Sequence, residues 1–185
     1  GSSDANQGQG KYYIDANYGV AMFQGSVVQS KAGYIADAEA ARTRLTIGIL
    51  NGIFYNAATT QKPTWANHYV ANTVPANSED ITAFVIDNPL QLFAVGVDGA
   101  VAAALYGNTA SMTQAVPAGS TLSGQSSKQL NVAANTSATA NQFRLLRSAE
   151  DVENEDGTVA NSTIIVTQNL NQYLQNTGTA GITWQ

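Results

Sequence analysis

Alternating apolar and polar residues predict most of the structure of this chain, and the clearest case lies at 81–99. Apolar residues fall on every second position in 81–85 and again in 93–97. A period of two is typical of a strand with one buried face. Between the two runs, 87–89 reads Asp-Asn-Pro, which is turn chemistry. We therefore predict a strand, a turn and a second strand that form the central hairpin of the fold.

The hairpin brings expectations for individual side chains. We expect Phe84, Phe93 or both to be buried, and Asp87 to bond the backbone of its turn. The pair Asp98-Gly99 closes the second run with another turn signal. Because the stretch has neither a nucleophile beside a base nor metal-ligand spacing, it indicates architecture rather than chemistry.

Further apolar runs predict further strands. The segment 12–29 is rich in aromatic and β-branched residues interrupted by glycines, which predicts short strands with a bend. The segment 45–55 predicts a strand through the core, with Gly48 and Gly52 allowing close approach of the backbone. Roughly seven to ten short strands with little helix predict a β-barrel or β-sandwich. The remaining strands are predicted within 68–74, 130–132, 142–147 and 162–172.

Helix is predicted only in short pieces. The alanine-rich segment 33–44 favours a short helix and a polar loop equally, and 99–106 favours a helical turn. The segments 56–66 and 107–129 are polar and predict loops, the second with brief strand pieces. The predicted fold is a mainly β single domain, a barrel or sandwich with one or two short helices.

The first ten residues differ from the rest. Residues 1–10 contain no apolar side chain larger than that of Ala. Such a segment cannot offset the entropy lost on ordering, so we predict a flexible N-terminal arm followed by one β-rich domain at 11–185. A cloning remnant at Gly1-Ser2 is the alternative origin of its first residues.

Composition narrows the classes of function. The chain of 185 residues has no Cys, which excludes disulfides, thiolate metal sites and thiol catalysis. Only 11% of residues are charged, so the surface is largely neutral and polar, which suits contact with other protein copies. A net charge of −5 with scattered basic residues argues against binding nucleic acid. The apolar runs are too short for a spanning helix and the N-terminus lacks signal-peptide features, so we expect a soluble protein that is intracellular at synthesis.

Three groups of residues are candidates for a chemical site. His68 is the sole histidine, but no nucleophile-elbow glycines frame a serine, so a partly exposed strand-end residue is the preferred interpretation. Asp87 and Asp98 resemble a carboxylate pair, but turn formation explains both. The acidic segment 150–157 offers oxygens for a divalent cation, yet it lacks the order of EF-hand ligands, so a solvated loop is favoured. A further interpretation pairs this segment with Arg144, with Arg147 or with an arginine of a neighbouring subunit. We predict no enzyme activity, no cofactor and no metal.

The order of these features resembles a family, the structural proteins of tailed-bacteriophage virions that decorate or cement the capsid. The likeness covers nearly the whole chain after the arm, and none of its motifs is a catalytic signature. The segments that carry it are 42–55, 68–74, TAFVIDNPLQLFAV at 82–95, SGQSSKQLNV at 123–132, QFRLLR at 142–147, DVENEDG at 151–157 and IIVTQNLNQYL at 164–174.

The resemblance implies a non-enzymatic β protein that binds the outside of an assembled head and reinforces contacts between major capsid proteins. It implies a homotrimer, localisation on the capsid exterior after synthesis in the host cytoplasm, and no nucleic-acid or membrane partner. Another virion role (tail, fibre or adaptor) and a carbohydrate-binding β-domain using Trp65 or Trp184 remain alternatives, and a His68-dependent hydrolase is the weakest. The candidate interface residues are Ser3, Asp4, Gln7, Arg144, Arg147, Asp151, Glu153, Glu155 and Trp184.

Overall fold

The computed structural model describes residues 8–38, 45–113, 119–136, 141–149 and 159–173, which form thirteen strands and two short 3-10 turns. The mainly β fold of barrel or sandwich type is therefore confirmed, although its strands outnumber the prediction. The strands are β1 (Gly10–Ile14), β2 (Met22–Phe23), β3 (Val27–Lys31), β4 (Tyr34–Asp37), β5 (Gly48–Asn56), β6 (Pro63–Ala66), β7 (His68–Tyr69), β8 (Ile81–Ile86), β9 (Leu92–Gly96), β10 (Thr109–Met112), β11 (Leu130–Thr136), β12 (Phe143–Ser148) and β13 (Thr163–Gln168), and the 3-10 turns are Ala76–Ser78 and Ala103–Leu105.

The first sheet contains six strands in the order β1-β8-β5-β3-β4, with β6 also paired to β5. It curls so far that its end strands β1 and β4, which are not paired, come within 8 Å of each other between Cα atoms. The sheet is thus a partly closed barrel, and the alternating residues of its strands fill the interior. A separate two-stranded sheet, β2-β7, packs Met22 and Tyr69 into the same core. This core is made by Ile14, Met22, Val28, Ile35, Ile47, Leu50, Ile53, Tyr69, Ile81, Ala83 and Val85.

The second sheet contains five strands in the order β11-β10-β12-β13-β9. Within the described residues, its two outer strands come together where Val97, just after β9, forms a parallel bridge with Leu130 at the start of β11 and the Asp98 N–H donates to the Leu130 carbonyl at 3.0 Å. Phe143 and Leu145 lie on one buried face of β12, as the sequence predicts. The second core also receives Val27 and Ala38 from the first part of the chain, so it joins the two sheets.

Polar contacts lock the two sheets together near Thr46. Its backbone N–H donates to the Leu170 carbonyl (2.8 Å), and its carbonyl accepts from the Gln172 N–H (2.8 Å). The Gln172 side chain in turn accepts from the Ser30 N–H at 3.0 Å. The segment after β13 therefore returns to the first sheet and closes the seam, and we call this contact the closing seam.

The predicted central hairpin at 81–99 is wrong, although both of its strands exist. The turn forms as expected, since the Gln91 N–H donates to the Asn88 carbonyl at 3.0 Å across Pro89. However, β8 is already paired on both edges, with β1 and with β5. Because no edge of β8 is left, β9 crosses to the second sheet and pairs with β13.

The side-chain expectations for this stretch also need correction. Phe84 and Phe93 are half-buried rather than buried: Phe84 lies on the outer face of β8, and Phe93 packs against the second core beside an open cavity. Asp87 accepts from the Tyr12 hydroxyl at 2.8 Å rather than from the backbone. It is Asn88 that bonds the backbone of the turn, accepting from the Leu90 N–H at 3.0 Å.

The predicted short helices and loops have mixed outcomes. The helix considered for 33–44 is wrong at its start, where β4 forms, and 39–44 lies outside the described residues. The helical turn predicted within 99–106 is confirmed. The loop predicted at 56–66 ends in β6, and the loop predicted at 107–129 contains the fully buried β10. Strand pairing overrides polar composition here, since β6 pairs with β5 and β10 pairs with both β11 and β12.

The predicted arm is shorter than expected at its C-terminal end. Gly10 begins β1, and the Gln9 side chain accepts from Asn51 at 3.1 Å. Residues 1–7 lie outside the described residues. None of the helical segments in the described ranges approaches the length or apolar character that a membrane crossing requires.

Candidate functional site

Strand register places a row of aromatic side chains across the outer surface of the first sheet. Thr82 on β8 lies opposite Tyr13 on β1 and also opposite Phe54 on β5. Phe54 in turn lies opposite Trp65 on β6. Directly opposed residues of antiparallel strands point to the same face. The row therefore runs Tyr13, Thr82, Phe54, Trp65 across four neighbouring strands, on the face opposite the core residue Ala83.

Lys11, Phe84 and Gly52 form a second row beside the first, and this row brings the Trp65 and Phe84 rings together. Phe84 lies opposite Gly52 on β5, and a Cβ atom at Gly52 would lie 3.3 Å from the Trp65 ring. Because Gly52 has no side chain, the Trp65 indole lies across β5 and reaches Phe84, with ring centroids 4.8 Å apart. Lys11, on the other side of Phe84, holds its amine 5.4 Å from the centroid of the Tyr13 ring.

We call Tyr13, Phe54, Trp65 and Phe84 the aromatic face. Their exposure is unusual: Trp65 is 58% exposed, Tyr13 42% and Phe54 38%, while Phe84 is half-buried. Aromatic side chains are large and rigid, so burying them against a partner gains much apolar area at small entropic cost. A contiguous group of them on a rigid sheet is typical of a binding surface.

The sequence predicted only part of this face. From the sequence, an exposed Trp65 is only what the carbohydrate-binding alternative requires, Phe84 is expected to be buried, and Phe54 is not singled out. The missing information is the pairing of strands far apart in the sequence, which β1 and β8 illustrate. Each aromatic residue does occupy the face of its strand opposite the aliphatic residues, and that signal was present in the alternation.

A second cluster joins Tyr12, Asp87 and Tyr173. The Tyr12 hydroxyl donates to Asp87 Oδ2 at 2.8 Å and lies 2.7 Å from the Tyr173 hydroxyl. Burial, reinforced by these hydrogen bonds and the Asp87 charge, raises the pKa of Tyr12 above its ordinary range. The phenol is thus held neutral and does not act as a base near neutral pH. The cluster ties the strand β1 to the segment after β13.

His68 lies at a strand end and is partly exposed, as predicted. Its ring stacks on Phe23, with centroids 5.8 Å apart and planes inclined by 10°. Its Nδ1 lies 3.3 Å from Asn67 Oδ1. Asp87 and Asp98 do not form a pair in the observed hydrogen bonds: Asp87 accepts from Tyr12, and Asp98 accepts from the Val132 N–H at 2.8 Å.

The candidate interface arginines lie on the exposed face of β12. Arg144 donates to the Gly107 carbonyl at 3.0 Å and to Asn169 Oδ1 at 3.2 Å, so its guanidinium is bound within the chain. Arg147 donates to the Ser148 carbonyl at 3.4 Å. The predicted interface residues Ser3, Asp4, Gln7, Asp151, Glu153, Glu155 and Trp184 lie outside the described residues, as does the acidic segment 150–157.

Within the described ranges, no three His, Asp or Glu side chains are grouped so as to hold a metal ion. Comparison with known proteins finds no matching family model, no similar curated protein and no similar solved structure. Function is therefore argued from the site itself.

Proposed function

We propose that this chain is a structural protein of a bacteriophage virion that decorates the outside of the assembled head and reinforces contacts between major capsid proteins. The resemblance of the sequence supplies the virion context. The observation that carries the proposal is the aromatic face, because it offers a rigid apolar surface of the kind that forms the centre of protein interfaces. The proposed assembly state is a homotrimer, as the resemblance implies.

The protein would act mechanically, through the contacts that it makes with the assembled shell. A protein that binds the assembled shell and not its free subunits stabilises the shell by mass action. Repetition over many equivalent sites makes modest individual contacts effective. The low content of charged residues supports this role, since a largely neutral polar surface costs less to desolvate than a charged one.

The test compares purified heads with and without this protein. Loss of heat and osmotic resistance in heads that lack it is expected, and added protein should restore both. The double variant Trp65→Ala with Phe54→Ala should fail to restore them, whereas Leu122→Ser should succeed, because Leu122 is 98% exposed yet lies outside the aromatic face. Equal resistance of heads with and without the protein would refute the cement function.

The other virion roles can be tested on virions that contain this protein. Immunogold labelling of intact virions should place the protein on heads. Label confined to tails would select the tail, fibre or adaptor alternative instead.

Carbohydrate binding is the second candidate, and the exposed Trp65 ring favours it. Aromatic rings on the outside of a sheet present apolar faces to sugar rings, and Thr82 and Lys11 border them with polar groups. Binding would quench or shift Trp65 fluorescence in the presence of a glycan. Silence on a glycan array, together with retained head binding, would dispose of this candidate.

A further inference from the structure

Tyr173, Tyr12 and Asp87 form a directed chain of hydrogen bonds. The Tyr12 hydroxyl lies 2.8 Å from Asp87 Oδ2 and 2.7 Å from the Tyr173 hydroxyl. A phenol has one proton and a carboxylate only accepts, so Tyr12 donates to Asp87. Tyr173 is therefore the donor to Tyr12. All protons in the cluster thus point the same way, from Tyr173 through Tyr12 to Asp87.

The two phenols of this cluster differ in their access to solvent. Tyr173 is 57% exposed, whereas Tyr12 is half-buried. Burial and the bonds to Tyr173 and Asp87 raise the pKa of Tyr12, so this ring stays protonated at neutral pH. A neutral phenol gives up an electron most easily when its proton leaves at the same time. The cluster therefore combines a ring that an oxidant can reach with a carboxylate that can take the released proton.

We propose that Tyr12 and Tyr173 are a modification site at which a haem peroxidase, supplied with hydrogen peroxide, joins the two rings as dityrosine. The site is independent of the virion function proposed above. In dityrosine the new carbon–carbon bond joins the ring carbons next to the phenolic oxygens, so the two oxygens become close neighbours. The 2.7 Å contact already holds them in this relation. The exposed Tyr173 side chain has room to complete the approach of its ring.

The reaction removes two electrons and two protons from the pair. The oxidant takes an electron from Tyr173, while the Tyr173 proton moves to Tyr12 and the Tyr12 proton moves to Asp87. Asp87 releases this proton to solvent, and loss of an electron from Tyr12 repeats the transfer to Asp87. The two phenoxyl radicals then form the carbon–carbon bond, and the hydrogen on each bonded ring carbon moves to the phenolic oxygen. Hydrogen peroxide accepts the two electrons and two protons and becomes two molecules of water.

A second pair of tyrosines has close rings but a different arrangement of hydroxyls. The rings of Tyr18 and Tyr69 lie 6.1 Å apart between their centroids. Tyr69 is fully buried, and its hydroxyl donates to the Tyr18 carbonyl at 2.8 Å. The Tyr18 hydroxyl accepts from the Asp37 N–H at 3.0 Å. Because both hydroxyls are directed to the backbone and one ring is out of reach of an oxidant, this pair should stay unmodified.

The proposed bond would join β1 to the segment that follows β13. Its two residues are 161 positions apart, so the bond would close a loop that contains most of the chain. A cross-link that closes a long loop restricts the unfolded chain, as a disulfide does, and this chain has no Cys. The bond would also hold the chain beside the closing seam, where Gln172 accepts from Ser30. Oxidation would therefore make closure of the first sheet permanent.

The experiment treats dilute full-length protein with a haem peroxidase and hydrogen peroxide. Dityrosine fluorescence should appear without a band of higher mass on a denaturing gel. Trypsin cleaves after Lys11, Lys31 and Arg147, and Tyr173 is the sole tyrosine in 148–185. Mass spectrometry should find peptide 12–31 joined to peptide 148–185 with the loss of two hydrogen atoms. Fragment ions should place the link at Tyr12 rather than at another tyrosine of 12–31. The cross-linked protein should unfold about 10 °C higher than untreated protein.

Four variants test the roles assigned within the cluster. Tyr12→Phe and Tyr173→Phe should each abolish the link between the two peptides. Asp87→Asn keeps an acceptor oxygen but cannot take up a proton, so the link should form about tenfold more slowly. Tyr106→Phe is the matched control, because Tyr106 is also partly buried but packs against the second core, and it should cross-link as the wild type does.

The wild-type protein alone can overturn the proposal, so the test does not depend on the folding of any variant. Links that join only separate chains, or that join Tyr173 to a tyrosine other than Tyr12, would do so. The same holds if the peroxidase couples free N-acetyltyrosine in the same tube but leaves Tyr12 and Tyr173 unlinked. A wild-type rate of cross-linking in Asp87→Asn would contradict the assigned path of the proton.

Discussion

The outer surfaces of the two sheets obey the same alternation of side chains, yet they differ in what they expose. The first sheet presents the aromatic face, in which the Trp65 and Phe84 rings contact each other and the side chains are left partly exposed. The second sheet presents Arg144, whose guanidinium is bound to a carbonyl and an amide of its own chain. Alternation therefore locates an exposed face, but the identity and internal bonding of its residues decide whether it is a binding surface.

The two sheets also differ in how closely neighbouring atoms approach a glycine in one of their strands. In the first sheet, a Cβ atom at Gly48 would lie 2.2 Å from the Ile86 carbonyl oxygen, as the predicted close approach at this glycine requires. In the second sheet, the nearest atom to a Cβ at Gly96 would be Gln129 Nε2, at 3.6 Å. The pairing of β5 with β8 in the first sheet therefore requires that residue 48 have no side chain, whereas the second sheet has room for a Cβ atom at Gly96.

Gly48→Ala should have the largest effect on stability. The obstructing atom belongs to the backbone of β8, so the ladder between β5 and β8 has to shift, which costs about 3 kcal/mol or more. Gly96→Ala is the matched control and should change stability by less than about 1 kcal/mol. Urea unfolding of both variants measures the difference. Similar losses in the two would show that the contrast between the sheets is wrong.

Leu145→Ala should be the next most damaging change. Leu145 is fully buried in the second core, and removing its side chain should cost about 3 kcal/mol through lost burial and a residual cavity. Its neighbour Leu146 is 38% exposed, and Leu146→Ala should cost about 1 kcal/mol or less. Thermal unfolding of the pair tests the face assignment in β12, and a reversed order would contradict it.

Raising the pH above 10 should destabilise the core of the first sheet through ionisation of Tyr69. Burial raises the pKa of Tyr69 from 10.0 to about 12, and its hydroxyl donates to the Tyr18 carbonyl at 2.8 Å. The unfolded chain therefore loses this proton first. The stabilisation is complete below pH 10 and is lost as pH rises toward 12, by at most about 1.4 kcal/mol per pH unit.

Urea unfolding at several pH values between 9 and 12 measures this loss. The Tyr69→Phe variant cannot ionise at this position, so its stability should fall less steeply over the same range. It should also be about 1 kcal/mol less stable than wild type at neutral pH, because it lacks the hydrogen bond to Tyr18. Parallel pH curves for the two proteins would rule out the role assigned to Tyr69.

Trp65→Ala should have the smallest effect on the isolated protein. The ring is mostly exposed, and its contact with Phe84 is worth about 1 kcal/mol. Near-ultraviolet circular dichroism should lose an aromatic band while urea unfolding changes little. A loss of several kcal/mol would mean that the aromatic face supports the fold rather than being reserved for a partner.

Local patterns predicted the strands well, because burial on one face imposes a period of two. Leu145 and Phe143 were placed on one face from their spacing alone, and the close approach at Gly48 was expected. The partners of each strand were not predictable in this way. β8 and β9 look like a hairpin in sequence, and only the occupation of both edges of β8 by distant strands excludes it.

The candidate site was less predictable than the strands. The aromatic face combines four strands, and its register follows from pairings that local sequence does not encode. The cavity beside β9 depends on the packing of one sheet against another. By contrast, the partly exposed strand-end position of His68 was predicted, because it depends mainly on its immediate neighbours.

The closing seam has a consequence for the order in which the protein can mature on the ribosome. Thr46 and Ser30 are synthesised early, but their partners Leu170 and Gln172 emerge more than a hundred residues later. The first sheet can begin to fold once β8 has left the exit tunnel, but its seam stays unsealed until residues 170–172 have also emerged. A stalled or truncated chain would thus expose an open, unpaired margin, and nascent-chain protease sensitivity should drop sharply only after residue 172 emerges.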